Sequence, residues 1–117
     1  TGSLLWSKEL TDIGLAQSVQ QIENTLFVMG FRSYSGDGVT AIFKYDLNGN
    51  MVWGKQYGNS GDYWKNVPQQ MITTYDDKLL ISGTYDKSFI FNDEVVYVTK
   101  IDTNGTVIWN KTFNLWF

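Results

Sequence analysis

The chain contains no cysteine and no histidine, and the two absences remove most of the common reaction chemistries. Without Cys there is no disulfide, no thiolate nucleophile and no Cys-ligated metal site. A Cys-free protein is also at home in any redox compartment. Without His the commonest general base and the commonest metal ligand are gone, so Ser-His-Asp, Cys-His and His-metal sites cannot be assembled from these residues. Long apolar runs are missing as well. Hydrophobic residues come in short bursts between Gly, Asn, Asp and Ser, well short of the roughly 18 uninterrupted apolar residues a membrane helix needs, so membrane insertion is not expected. Nine Lys and Arg face 12 Asp and Glu, for a formal charge of -3 with no basic cluster. That leaves no phosphate-neutralising surface, and nucleic acid is not an expected partner.

What is present is one modest core's worth of apolar side chains, 43% of 117 residues with 16% aromatic, arranged as a repeat. Trp6-Ser7-Lys8, Trp53-Gly54-Lys55 and Trp109-Asn110-Lys111 share the pattern Trp-x-Lys, and each Trp follows a glycine by four positions, at Gly2, Gly49 and Gly105. The two later copies extend upstream, as Lys44-Tyr45-Asp46-Leu47-Asn48-Gly49 and Lys100-Ile101-Asp102-Thr103-Asn104-Gly105. From Trp to Trp the spacing is 47 and then 56 residues, the length of one four-stranded propeller blade.

Each copy divides into four strand-like runs. They are predicted over 16–22, 25–31, 39–45 and 51–57 in the first, and over 67–73, 78–84, 95–101 and 107–113 in the second. Asn48-Gly49 and Asn104-Gly105 fall between the third and fourth runs, where Asn-Gly is the signal of a two-residue type I′ hairpin. Gly30 and Gly83 fall near the ends of the second runs, where glycine marks a bulge or a close backbone approach. No helical stripe persists beyond about two turns.

The expected fold is therefore all-β: two four-stranded antiparallel propeller blades, blade one over 11–57 and blade two over 58–117. One orphan outer strand precedes them, within 1–10, belonging to a preceding or partner blade. Thr1-Gly2-Ser3 runs straight into that strand without a signal-peptide pattern, which leaves room for a removed leader or an excised fragment. Repeat units bury their faces on one another and need about three for stability. The expected partners are accordingly further blades of the same protein or further copies of the chain, joined through donated terminal strands.

The segments from Asp46 to Lys55 and from Asp102 to Lys111 resemble the prokaryotic surface β-propeller repeats, whose blades end in Lys-x-Asp-x-x-Gly-x-x-x-Trp-x-Lys. The resemblance covers nearly the whole chain and implies an exported or cell-surface protein, extracellular or periplasmic, of unassigned role. A more distant similarity links the same segments to quinoprotein dehydrogenase blades, with Gly one position early. Those enzymes hold their quinone with a vicinal disulfide and calcium, and this chain has no Cys, so no cofactor is expected.

Three kinds of side chain compete for a functional role. The repeated residues Trp6, Trp53, Trp109, Gly49, Gly105, Asp46 and Asp102 are read as structural, the tryptophans packing between blades and the Asp residues capping turns. The lysines are expected to lay their stems on aromatics with the charge in water. Asp46-Leu47-Asn48-Gly49-Asn50 has oxygen side chains at alternate positions but lacks the sixth-position Gly and distal Glu of a calcium loop, so no metal is assigned. The acid pairs Asp76-Asp77 and Asp93-Glu94 sit at predicted turns and do not suit glycosidase chemistry, and no catalytic residue is assigned. Asn104-Gly105-Thr106 and Asn110-Lys111-Thr112 match the N-glycosylation pattern. Finally, the connections 11–15, 33–38, 58–66 and 86–93 are expected on one face, and Tyr34, Tyr63, Trp64, Phe89 and Phe91 within them form a candidate glycan- or protein-binding surface.

The function expected from this reading is a non-enzymatic binding or structural scaffold. Two alternatives stand beside it: a fragment of a propeller enzyme whose catalytic residues lie outside the chain, and a self-assembling subunit of a surface polymer.

Overall fold

A computed structural model describes residues 2–9, 15–34, 37–57, 66–86 and 94–114. The side chains at 15, 32–34, 37, 38, 66, 85, 86, 94 and 114 lie outside that description. The described residues contain eight strands and no helix: β1 (Leu15–Ile22), β2 (Thr25–Tyr34), β3 (Asp37–Asp46), β4 (Met51–Tyr57), β5 (Asn66–Thr73), β6 (Leu79–Asp86), β7 (Glu94–Ile101) and β8 (Val107–Asn114). They form two antiparallel four-stranded meanders, β1-β2-β3-β4 and β5-β6-β7-β8. Each sheet takes its strands in chain order because short hairpins join most of them.

The two sheets repeat in detail. In each, the first strand bulges opposite the second, between Ala16 and Ser18 beside Gly30, and between Pro68 and Gln70 beside Gly83. A Cβ on Gly83 would clash with the Val67 carbonyl and lie 2.6 Å from the Tyr97 hydroxyl. The close approach that needs this glycine is therefore inside its own sheet. A second matched bulge, at Val52 and Ile108, sits where β4 and β8 begin.

The hairpins between third and fourth strands are three-residue loops rather than type I′ turns. Asp46 N donates to Asn50 O and Gly49 N to Asp46 O, with positive φ at Gly49 (87°) but at neither Leu47 nor Asn48. Asp102 to Thr106 repeats this, with Gly105 at 81°. A type I turn closed by a left-handed residue is the usual three-residue solution. The β5–β6 hairpin uses it too, with Asp77 in the left-handed position (φ 57°).

Residues 2–9, expected as an outer strand of a preceding or partner blade, make no ladder hydrogen bond among the described residues. Two other sequence expectations change. The predicted loop 33–38 is mostly strand: β2 and β3 pair out to Ser33 with Gly38 and Tyr34 with Asp37. Glu94 opens β7 instead of sitting in a turn.

The core lies between the sheets. Directly paired residues share a face, and the rows Phe27-Lys44-Trp53 and Met29-Ile42-Lys55 of the first sheet look onto β5. Phe27, Met29 and Ile42 are fully buried there against Met71, Leu79, Ile81, Tyr97 and Ile101 of the second sheet, with Trp53 and Tyr57 packed on the margin. Ser18 Oγ and Gln20 Nε2 both donate to the Met71 carbonyl, at 3.3 and 3.1 Å. Thr40 and Tyr97 share a buried hydroxyl bond of 3.2 Å. Burial pushes the Tyr97 phenol up to about 12, offset in part by Thr40.

Candidate functional site

The residues that recur in sequence converge on one arrangement, an aromatic and cationic clamp closed on a hairpin turn. In the β3–β4 and β7–β8 loops the Asp residue takes up the turn amides, and the turn carbonyls accept from outside the hairpin. Asp46 Oδ1 accepts the amides of Asn48 and Asn50, both at 2.9 Å, and Oδ2 accepts Asn50 Nδ2 at 3.1 Å. These bonds, that from the Asn50 amide foremost, hold the Asp46 carboxyl below its ordinary range. Asp102 Oδ1 does the same for Asn104 and Thr106, at 2.9 Å each, with the same effect. Both Asp residues act as turn caps in the Asx manner.

Onto the first turn close Trp6 and Lys8. Trp6 Nε1 donates to Leu47 O at 2.9 Å, and Lys8 Nζ donates to Gly49 O at 2.7 Å while lying 5.7 Å from the Tyr45 ring centroid. Onto the second turn close residues of β4. Trp53 Nε1 donates to Thr103 O at 3.2 Å, Lys55 Nζ to Asn104 O at 2.8 Å, and the Tyr57 hydroxyl to Gly105 O at 2.7 Å. Lys44 Nζ adds a second bond to Thr103 O, at 3.1 Å, from above the Phe27 ring. Each such bond contributes about 1 kcal/mol net at these partly exposed positions.

The turn glycines serve twice. Besides adopting positive φ, they leave room for the clamp. A Cβ on Gly49 would lie 3.1 Å from the Trp6 ring, and one on Gly105 would lie 2.8 Å from Lys55 Cδ, 2.9 Å from the Tyr57 hydroxyl and 3.0 Å from the Trp53 ring. The lysines differ from the expectation of a charge left in water, since Lys8 and Lys55 hold turn carbonyls through their ammonium groups. Tyr57 and Lys44 were not singled out by the sequence reading. The signal for Lys44 was there, in its match with Lys100.

The third clamp is open. Lys111 lies 5.7 Å from the Trp109 ring centroid, as Lys55 lies 5.5 Å from that of Trp53. Among the described residues no turn meets this pair. Trp109 is 37% and Phe113 51% exposed. Lys100, the match of Lys44, bonds back to Asp76 of its own sheet at 2.9 Å.

Of the candidate ligand-binding aromatics, Tyr63, Trp64, Phe89 and Phe91 lie outside the described residues, as does Asp93. For Tyr34 only the backbone is described, at the end of β2. Asn104 is exposed in its turn, and Asn110 sits within β8 with its amide oxygen accepting from Thr99 Oγ1 at 2.6 Å. Among the described residues no group of three or more acidic, His or Cys side chains is placed to hold a metal.

No family model, curated protein or solved structure matches the chain.

Proposed function

We propose that the two sheets are consecutive blades of a propeller-type repeat array, displayed outside the cell or at its surface, and that the chain works as a binding or structural scaffold instead of a catalyst. The observation that carries this is the recurring clamp, in which Trp6 and Lys8 grip the last hairpin of the first sheet as Trp53 and Lys55 of β4 grip that of the second. A residue repeated in every unit and spent on holding units together is a poor candidate for selective chemistry, and the lack of His and Cys points the same way. Recognition then falls to the connections that differ between units, where Tyr63, Trp64, Phe89 and Phe91 supply flat apolar rings suited to a sugar face or a protein partner.

The test is a glycan-array and partner-capture screen with the intact chain, repeated with Tyr63→Ala and Trp64→Ala together. Loss of the captured ligand with a melting temperature within about 2 °C of the parent, the range of a surface change, supports the reading. An equal loss of stability would place both rings in the core. The open clamp on β8 favours a second reading, in which assembly is itself the function.

A further inference from the structure

We propose that β8 of one copy closes its open clamp on the Asp46–Asn50 turn of a second copy, taking the place that residues 2–9 occupy there. The inference rests on reading the sheets as repeat units and specifies how such units join between chains.

The residues 2–9, Gly-Ser-Leu-Leu-Trp-Ser-Lys-Glu, and 105–112, Gly-Thr-Val-Ile-Trp-Asn-Lys-Thr, correspond position by position in chemical class up to the last, where both are polar. The donor sets narrow the match. The β4 clamp has a third donor, the Tyr57 hydroxyl, and there Gly105 O goes to Tyr57 and Lys55 moves to Asn104 O. The other two clamps carry Leu10 and Phe113 at that position, neither with a hydroxyl. Trp109 and Lys111 thus have the donors that Trp6 and Lys8 use on Leu47 O and Gly49 O.

Displacement is favoured by how the resident segment is held. Residues 2–9 are exposed throughout, with Leu4 and Leu5 at 81% and 90%, and among the described residues the Trp6 and Lys8 side chains make the hydrogen bonds that tie them to the rest of the chain. The incoming β8 is already laddered to β7, so its clamp is ordered before contact. It also brings a whole face. The rows Leu80-Lys100-Trp109 and Ser82-Val98-Lys111 are the second-sheet counterparts of the first-sheet rows Phe27-Lys44-Trp53 and Met29-Ile42-Lys55. The receiving face, with Leu26, Val28, Phe43 and Tyr45, is the first-sheet counterpart of Leu79, Ile81, Thr99 and Ile101. A contact that uses two different surfaces is heterologous, closing to a ring or running on as a filament.

Sedimentation of the full chain tests this. Trp6→Ala with Lys8→Ala should lower the concentration at which half the chain is associated by about tenfold, the equivalent of 1.4 kcal/mol. Adding Trp109→Ala and Lys111→Ala should return the mass to that of the monomer. An excess of a synthetic peptide of residues 2–9 should do the same, and its Trp-and-Lys-to-Ala version should not. The proposal is overturned if the W6A/K8A chain stays at monomer mass up to millimolar concentration, or if its association survives W109A/K111A. Should W6A/K8A fail to fold, the unmodified chain decides: growth of mass with concentration that W109A/K111A abolishes supports the proposal, and constant monomer mass overturns it. Trp53→Ala with Lys55→Ala separates this from the repeat reading. If those changes leave the melting temperature unmoved, the repeat reading falls; if they lower it while W6A/K8A stays monomeric, only the intermolecular clamp falls.

Discussion

β4 and β8 carry the same side chains in the same order, Trp-x-Lys followed two residues on by an aromatic, and they end in different surroundings. Trp53 and Tyr57 of β4 lie against the inter-sheet core and grip the turn of the second sheet. Trp109 and Phe113 of β8 present the same face to solvent. Both tryptophans keep a lysine ammonium at nearly the same distance, 5.5 and 5.7 Å, so the cation–π pair is a property of the strand and not of its docking. What docking adds is the turn carbonyls, since Trp6 is 40% exposed while bonded to its turn and Trp109 is 37% exposed without one. The difference shows that the repeat unit carries its half of the joint preassembled, whether or not the other half is present.

The largest test of this comparison is to remove each indole in turn. Trp53→Ala should cost about 3 kcal/mol in denaturant unfolding, because it leaves a hole beside Phe27, whose ring centroid lies 6.1 Å away, and orphans part of the Thr103 carbonyl's bonding. Trp109→Ala should cost about 1 kcal/mol or less, as befits a half-exposed side chain. Equal losses would break the comparison and mean that β8 is as fully docked as β4.

The turn glycines give the next step down. Gly105→Ala must both hold a left-handed φ and push against Lys55, Tyr57 and Trp53, at about 2–3 kcal/mol. Gly49→Ala meets the Trp6 ring first, on a segment without ladder bonds, and should cost about 1–2 kcal/mol, mostly from φ. Measured side by side, the pair reports how rigidly each clamp is held.

These contrasts bear on what the sequence could disclose. Period-two patterning set between turn residues placed all eight strands to within a few residues, and the matched Asp, Gly and Trp located the joints. Pairing alone decides whether an extended segment becomes a strand, and residues 2–9 have strand chemistry without a partner. The stretch 33–38, with two Ser and two Gly, reads as a connection, while β2 and β3 pair through most of it. The clamp itself was hidden for a different reason. Its acceptors are backbone carbonyls of Leu47, Thr103 and Asn104, which any residue supplies, so no side-chain signature marks them. The glycines could be read as turn residues, but their second duty, leaving space for an indole from another sheet, is a tertiary fact.

The smallest expected effect separates the two strands at a single oxygen. β4 ends its motif in Tyr57 and β8 in Phe113, so Tyr57→Phe converts the closed clamp to the composition of the open one and deletes the 2.7 Å bond to Gly105 O, at about 1 kcal/mol. The same change has a signature in alkali. Burial first, and the Asp102 charge second, push the Tyr57 phenol up to about 12, and burial does the same for Tyr97. A phenol that ionises at higher pH when folded than when unfolded releases its proton first in the unfolded chain. Its contribution to stability is therefore whole below the unfolded value near 10 and is lost as pH rises from there through about 12. Unfolding free energy should fall over that window in the parent chain and fall less steeply in Tyr57→Phe, with Tyr97 and Tyr45, whose phenols burial also pushes up, left to supply the remaining slope. An unchanged slope would mean that Tyr57 ionises alike in both states, and that its hydroxyl is not held within the clamp.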